Sequence, residues 1–290
     1  MKLYFYRGAD LNFGDELNHW LIPKVFPGFF DEDASTLFLA IGSILLDTHP
    51  AEATKIVFGS GYGGYTGVPT LDERWRVYAV RGHRTAAACG ISPSLVAGDA
   101  AMLIRRFAPP PRPKRFKFSF MPHWESVARG SWQKASALAG LNFIDPRQSV
   151  DDVLDRLQET EILVTEAMHG AIVADALRIP WIPILPFVRT HRDKWNDWAS
   201  ALDVELHPVP LTVSSVWEGL STQHHAGMLR QLDRWRPTRK AANFSLVRLA
   251  ARSLRHATRT PPRLSSDAAL ETAVRRLEQA ADRIKRDFPR

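Results

Sequence analysis

The sequence predicts an α/β protein of two parallel-sheet units and a helical C-terminal extension. Three observations carry that reading. Short apolar runs closed by glycine or other turn residues alternate with helix-like stretches, which implies parallel strands with crossover helices. The alternation breaks at 108–114, where Pro109, Pro110, Pro111 and Pro113 exclude both a helix and a central strand and read as a stiff linker. Beyond Arg236 the pattern changes again, to basic helical periodicity.

In the first unit the strands are Leu3 to Tyr6, Thr36 to Ile41 closed by Gly42-Ser43, Lys55 to Phe58 closed by Gly59-Ser60-Gly61, and Arg76 to Val80 followed by Arg81-Gly82. In the second they are Phe116 to Phe120, Ile162 to Val164 and Trp181 to Ile184. The borders that follow are 1–108, a linker at 109–115, a second unit at 116–235 and a tail at 236–290. A cleft between the units is expected. Within the tail, Asn243 to Thr260 sets Arg248, Arg252, Arg255 and Arg259 on one helical face and Val247, Ala250 and Leu254 on the other. Such a helix either lies on an anionic membrane or packs on the body with a solvated arginine face. After Pro261-Pro262 a last helix carries Leu270, Val274, Leu277, Ala281 and Ile284 in one narrow stripe suited to docking.

Composition narrows the function classes. Of 290 residues 45% are hydrophobic and 24% charged, which is ordinary for a soluble globular protein. The lone Cys89 excludes an internal disulfide framework and fits a reducing compartment. Arg7 interrupts the N-terminal apolar run before a signal peptide forms, and no apolar stretch is long enough to span a bilayer. A cytoplasmic protein is expected, peripheral to the inner face of the membrane at most. The net charge is +7, and ten Lys or Arg against the single acid Asp233 fall between Arg230 and Arg263. An anionic membrane surface is therefore the expected partner of the tail, and nucleic acid is not.

The residues that can carry chemistry cluster after strands. Thr165 to Leu177 follows the strand Ile162 to Val164, with Thr165 read as a helix N-cap and His169 in the first turn. Carboxyl ends of parallel strands and helix N-termini are where open α/β sheets take anionic ligands. Asn12-Phe13-Gly14-Asp15-Glu16 follows the first strand, and Asn12 and the Gly14 backbone are read as hydrogen-bonding a ligand. Asp15 is the functional carboxylate of this segment and Glu16 a capping acid. Gly59, Ser60 and Gly61 form either a ligand-approaching loop or a plain turn. Arg81 is a cation able to clamp a carboxylate or phosphate. His123 ends a strand of the second unit, and Arg189 and Lys194 follow its last strand. No Cys/His spacing for a metal is present, so no metal and no cofactor is expected.

Together these segments resemble the polysaccharide pyruvyltransferase family, of the exopolysaccharide, succinoglycan-type branch. The matching stretches are Asn12 to Asn18, Phe58 to Gly61, Val80 to Thr85 with Gly98-Asp99, Pro122-His123-Trp124, Thr165 to Leu177 and Lys194 to Trp198. The resemblance implies two Rossmann-like domains facing each other in a GT-B-like arrangement. It also implies phosphoenolpyruvate as co-substrate, a saccharide or lipid-linked oligosaccharide as acceptor, and a pyruvate ketal as product. Many relatives carry an arginine two residues before the histidine matched by His169. Here Ala167 stands there, so the charge of phosphoenolpyruvate is assigned to Arg81, Arg189 and Lys194. His169 is the expected general acid, helped by the adjacent Glu166 and by the bound donor, and Asp15 the expected base for the acceptor hydroxyl. A nucleotide-sugar glycosyltransferase and a non-catalytic membrane-associated assembly protein stand as alternatives.

Overall fold

The computed structural model describes residues 1–8, 11–223 and 236–289. Arg230 and Arg234 of the basic stretch, and the border at 235, lie outside them. The described chain forms two four-stranded sheets, parallel throughout. The first runs β1 (Lys2–Tyr4), β2 (Thr36–Leu39), β3 (Thr54–Ser60) and β4 (Trp75–Val80) in that spatial order. The second contains β5 (Phe116–Met121), β6 (Asn142–Phe143), β7 (Thr160–Thr165) and β8 (Trp181–Pro183), in the order β6-β5-β7-β8. All seven expected strands are present. Strand β6, two residues long, has too little apolar sequence to announce itself.

Strand residues alternate between two buried faces, which is why these strands read as continuous apolar runs. Phe38, Ile56 and Phe58 of the first sheet share one core with Leu163 and Trp181 of the second. Leu37, Leu39 and Val57 point to the opposite side of the first sheet. Phe120, Val164 and Ile182 point to the opposite side of the second. A hydrophobic core is thus common to both halves.

The helices depart from strict alternation. α1 (Phe13–Val25) follows β1, but β2, β3 and β4 are joined by irregular segments. Gly42 and Pro50 interrupt the first of these, and Gly61, Gly63, Gly64, Gly67 and Pro69 the second, so neither builds a helix. Elsewhere helices follow: α2 (His83–Ala88), α3 (Ile104–Phe107), α4 (Trp124–Arg129), α5 (Trp132–Ala139), α6 (Val150–Gln158), α7 (Met168–Ala176), α8 (Arg192–Ser200) and α9 (Val216–Gln223). The proline segment before β5 is docked rather than loose. Arg112 pairs with Asp155 at 2.6 Å, and Lys114 Nζ donates to the Thr160 carbonyl at 2.7 Å.

The C-terminal helices are part of the body. α10 (Arg236–Ala257) lies on α5 and buries Val247, Ala250, Leu254 and Ala257 in the core of the second sheet. Arg248, Arg252 and Arg255 are exposed on its outer side, as is Arg259 just beyond it. α11 (Asp267–Asp287) buries the expected stripe, Leu270, Val274, Leu277, Ala281 and Ile284, and returns to the first sheet. There Arg283 donates to the Tyr78 carbonyl at 3.0 Å and Arg276 to that of Val96 at 3.2 Å. Among the described residues no helix is long and apolar enough to cross a membrane.

Candidate functional site

A cavity of about 420 Å³ opens at the carboxyl ends of strands from both sheets. Tyr6 and Asn12 to Asp15 reach it after β1, Gly42, Ser43 and Ile44 after β2, and Tyr65 and Thr66 after β3. From the second sheet come Met121, His123 and Trp124 at the end of β5, Ala167 to His169 after β7, and His191 and Lys194 after β8. The strand order reverses between β5 and β7, the neighbours that carry His123 and His169. Open α/β sheets bind ligands at such reversals.

His169 sits in the first turn of α7, as expected, but Thr165 is not the cap. Thr165 ends β7 and its hydroxyl accepts from the Ala167 amide at 3.0 Å, leaving Ala167 as the N-cap with no side-chain bond to the helix. The imidazole lies against Gly14, where a β-carbon would come within 2.0 Å of Nδ1. Only glycine admits the ring there. On its other side Nε2 is 3.7 Å from Oδ2 of Asp99, and neither atom has a hydrogen-bond partner among the described residues. Asp99 is fully buried, its Oδ1 accepting from the Ala101 amide at 2.9 Å.

Asp99, rather than Glu166, is therefore the carboxylate paired with the histidine. Glu166 is buried with both oxygens tied to main chain, accepting from the amides of His123 and Phe187 at 3.0 Å each. Burial raises its pKa, and these bonds counter the rise. It does not line the cavity; it joins the end of β5 to the segment after β8.

Asp15 lines the cavity, and Asn12 Nδ2 donates to its Oδ2 at 2.7 Å. Its pKa is raised by burial, against the lowering effects of Asn12, His169 and Lys194. Asn18 fixes this segment, exchanging hydrogen bonds with Ile41 at 2.9 Å each way. Lys194 is the lysine on the cavity wall. Burial and the nearby Arg81 lower its pKa to about 8, with Asp15, Glu125 and Glu166 opposing.

Other expected ligands have structural work instead. Arg81 is wholly buried: Nε donates to Asp197 Oδ2 at 2.8 Å, Nη1 to Ser43 Oγ at 2.8 Å and Nη2 to the Tyr62 carbonyl at 3.2 Å. With its guanidinium occupied it does not reach the cavity. Gly59 has φ +79°, and a β-carbon there would meet the Ala100 nitrogen at 2.6 Å. Ser60 Oγ donates to the Leu39 carbonyl at 3.1 Å, and a β-carbon on Gly61 would meet the Arg81 guanidinium at 2.3 Å. These three residues are a packing device at the end of β3. Arg189 is exposed and off the cavity wall. Asn12, Gly14, Asp15, His123, His169 and Lys194 are brought together; Gly59, Ser60, Gly61, Arg81, Glu166 and Arg189 are not.

The structure adds a group that sequence spacing hid. His123, Glu125 and His191 present one ligand-type atom each, all within 4.8 Å of one another, an arrangement that no Cys/His spacing in the sequence announces. His191 Nε2 is 3.2 Å and His123 Nδ1 3.6 Å from Glu125 Oε2. Burial first, then the charge of Lys194, lowers both histidine pKa values, that of His191 to about 3. Tyr65, whose hydroxyl is 3.5 Å from His191 Nδ1, is pushed up to about 12 by burial.

The profile described as polysaccharide pyruvyl transferase matches residues 54–186, which include the ends of β5, β7 and β8. The succinoglycan biosynthesis protein ExoV of Rhizobium meliloti (strain 1021) is 35% identical over 319 aligned positions, covering 99% of this chain and 100% of the relative. No solved structure matches. Full-length similarity at that level, with the histidine segment inside the matched region, shows that the chain is a transferase belonging to the polysaccharide pyruvyl transferase family.

Proposed function

We propose that the pyruvyl group transferred to the exopolysaccharide comes from phosphoenolpyruvate, and that the acceptor is a saccharide carried on a lipid-linked intermediate. The observation that carries this reading is one cavity holding an imidazole, a carboxylate and a buried cation: His169, Asp15 and Lys194. Lys194 meets the carboxylate or phosphate of the donor, the role left open by Ala167. Asp15 accepts the proton of the first acceptor hydroxyl as its oxygen bonds to C2. His169 delivers a proton to the methylene carbon, which becomes the methyl group. Loss of phosphate leaves C2 electrophilic; the second hydroxyl closes the ketal, and its proton leaves with phosphate. Asp99 positions the His169 ring from behind. Two parallel sheets contributing strand ends to one cavity support a GT-B-like pair of Rossmann-like domains, divided at the docked proline segment.

The test is phosphate release from phosphoenolpyruvate in the presence of lipid-linked acceptor, with mass spectrometry of the glycan for the ketal. The wild type releases phosphate and adds the ketal; His169→Ala, folded by circular dichroism, does neither. Near-normal turnover by His169→Ala removes the histidine from the chemistry. Stabilisation of the wild type by a nucleotide sugar instead of phosphoenolpyruvate replaces the donor assignment.

A further inference from the structure

We propose that His123, Glu125 and His191 form a binding site for one divalent transition-metal ion of the zinc, cobalt or nickel type. Two imidazole nitrogens and one carboxylate oxygen suit such borderline ions, whereas magnesium and calcium prefer all-oxygen surroundings. Zinc bonds of 2.0–2.1 Å at the tetrahedral angle set ligand atoms about 3.4 Å apart. The observed separations from Glu125 Oε2, 3.2 Å to His191 and 3.6 Å to His123, bracket that value.

The polar atoms of this group do not satisfy one another. Glu125 Oε2 is buried and has no hydrogen-bond partner among the described residues, although His191 Nε2 lies 3.2 Å away. A cation among the three atoms gives that oxygen its partner. Supporting contacts aim the ligands inward. Arg129 Nη2 donates to Glu125 Oε1 at 3.1 Å, which leaves Oε2 as the free oxygen. The Tyr65 hydroxyl, at 3.5 Å from His191 Nδ1, leaves Nε2 towards the carboxylate. Glu166 holds the main-chain nitrogen of His123. Partners of this sort fix ring orientation in metal sites.

Charge in the surroundings is mixed. Lys194 and Arg129 both act on His123 and oppose a dication. Asp15, Glu125 and Glu166 act on Lys194 with the opposite sign, so the region is not uniformly positive. Both histidines line the cavity. The coordination positions left by three protein ligands therefore go to water or to an oxygen of whatever fills it.

The test uses tag-free, full-length protein stripped with a chelator and titrated with Co²⁺, then Zn²⁺. Expected are Co²⁺ visible absorption bands saturating at one equivalent per chain and displaced by Zn²⁺. Glu125→Gln and His191→Ala lower the affinity on the order of tenfold or more, with unchanged metal-free circular dichroism. His191→Asn replaces His191→Ala if the latter does not fold. His207→Ala, an exposed histidine elsewhere, and the double variant His224→Ala/His225→Ala bind as the wild type does. Absence of saturable binding overturns the proposal. So does unchanged affinity in Glu125→Gln and His191→Ala, or binding lost with His224 and His225. None of these readouts needs donor or acceptor, so their failure leaves the pyruvyl-transfer reading intact, and failure of that reading leaves them intact.

Discussion

Gly14 and His169 occupy one packing space from opposite halves of the chain. Because a β-carbon at 14 would stand 2.0 Å from the ring nitrogen, Gly14→Ala must displace the imidazole. Overpacking of this kind costs about 1–3 kcal/mol, and a displacement near 1 Å in a reacting group costs roughly a hundredfold in rate. We expect Gly14→Ala to fold with a modestly lowered urea midpoint and to lose about two orders of magnitude in kcat. Lys194 gives a second residue-scale prediction. With its pKa at about 8 it is a cation below that pH and neutral above, so an anionic donor binds better on the acid side. Burial first, then Arg81, lowers it to that value, and Asp15, Glu125 and Glu166 oppose them. The apparent KM for phosphoenolpyruvate should rise as pH rises through about 8. In Lys194→Met it should be high and flat across that range.

At the scale of elements, the strand of residues 75–80 and the helix of residues 192–200 are joined by one buried ion pair, Arg81 with Asp197. Thr85 adds to it, its amide and hydroxyl donating to the same carboxylate at 2.8 and 2.6 Å. Removing one member leaves the other charged and unpaired in the interior, which typically costs about 3–5 kcal/mol. Asp197→Asn and Arg81→Met should each lower unfolding free energy by that order in urea titration, while the folded fraction keeps its protection by donor. A result in which Arg81→Met folds with wild-type stability and loses the donor would return Arg81 to the binding set. Sequence reading saw Arg81 as a clamp because an arginine at a strand end is equally suited to an anion in a cleft and to a carboxylate on another element. The partner that decides between them lies over a hundred residues away. Long sequence separation also hid the His123, Glu125 and His191 group and the pairing of His169 with Asp99. Strand positions, the stripe of the last helix and the site segments at Asn12 to Asp15, His123 and Met168-His169 were legible, because periodicity and turn chemistry are local. Gly59 misled for a related reason: a glycine that lets a ligand approach and one that lets Ala100 approach look alike.

Across the whole molecule, the outer side of α10 joins exposed Phe244 and Leu249 to Arg248, Arg252 and Arg255. Arg248 lies over the Phe244 ring at 3.6 Å. An anionic membrane, the expected partner of this basic stretch, would meet the protein on this face. Each basic residue near such a surface contributes about 1 kcal/mol, so Arg252→Glu/Arg255→Glu should release the protein from phosphatidylserine vesicles in co-sedimentation. Because those side chains are exposed, melting temperature and phosphate release with a soluble acceptor should stay as in the wild type. Binding that survives the charge reversal assigns that face to solvent.

The return of α11 to the first sheet also sets the timing of biosynthesis. Strands β3 and β4 are partly covered by a helix translated long after them, as the 2.5 Å bond from the Tyr78 hydroxyl to Asp287 illustrates. At about 5–20 residues per second, that surface waits roughly ten to forty seconds on the ribosome for its cover. The patch of β3 and β4 that α11 covers is open until then, so a chaperone that shields it should raise the soluble yield. A chain stopped before residue 267 should be cleared by proteases in the cell even though every residue of the cavity has been translated.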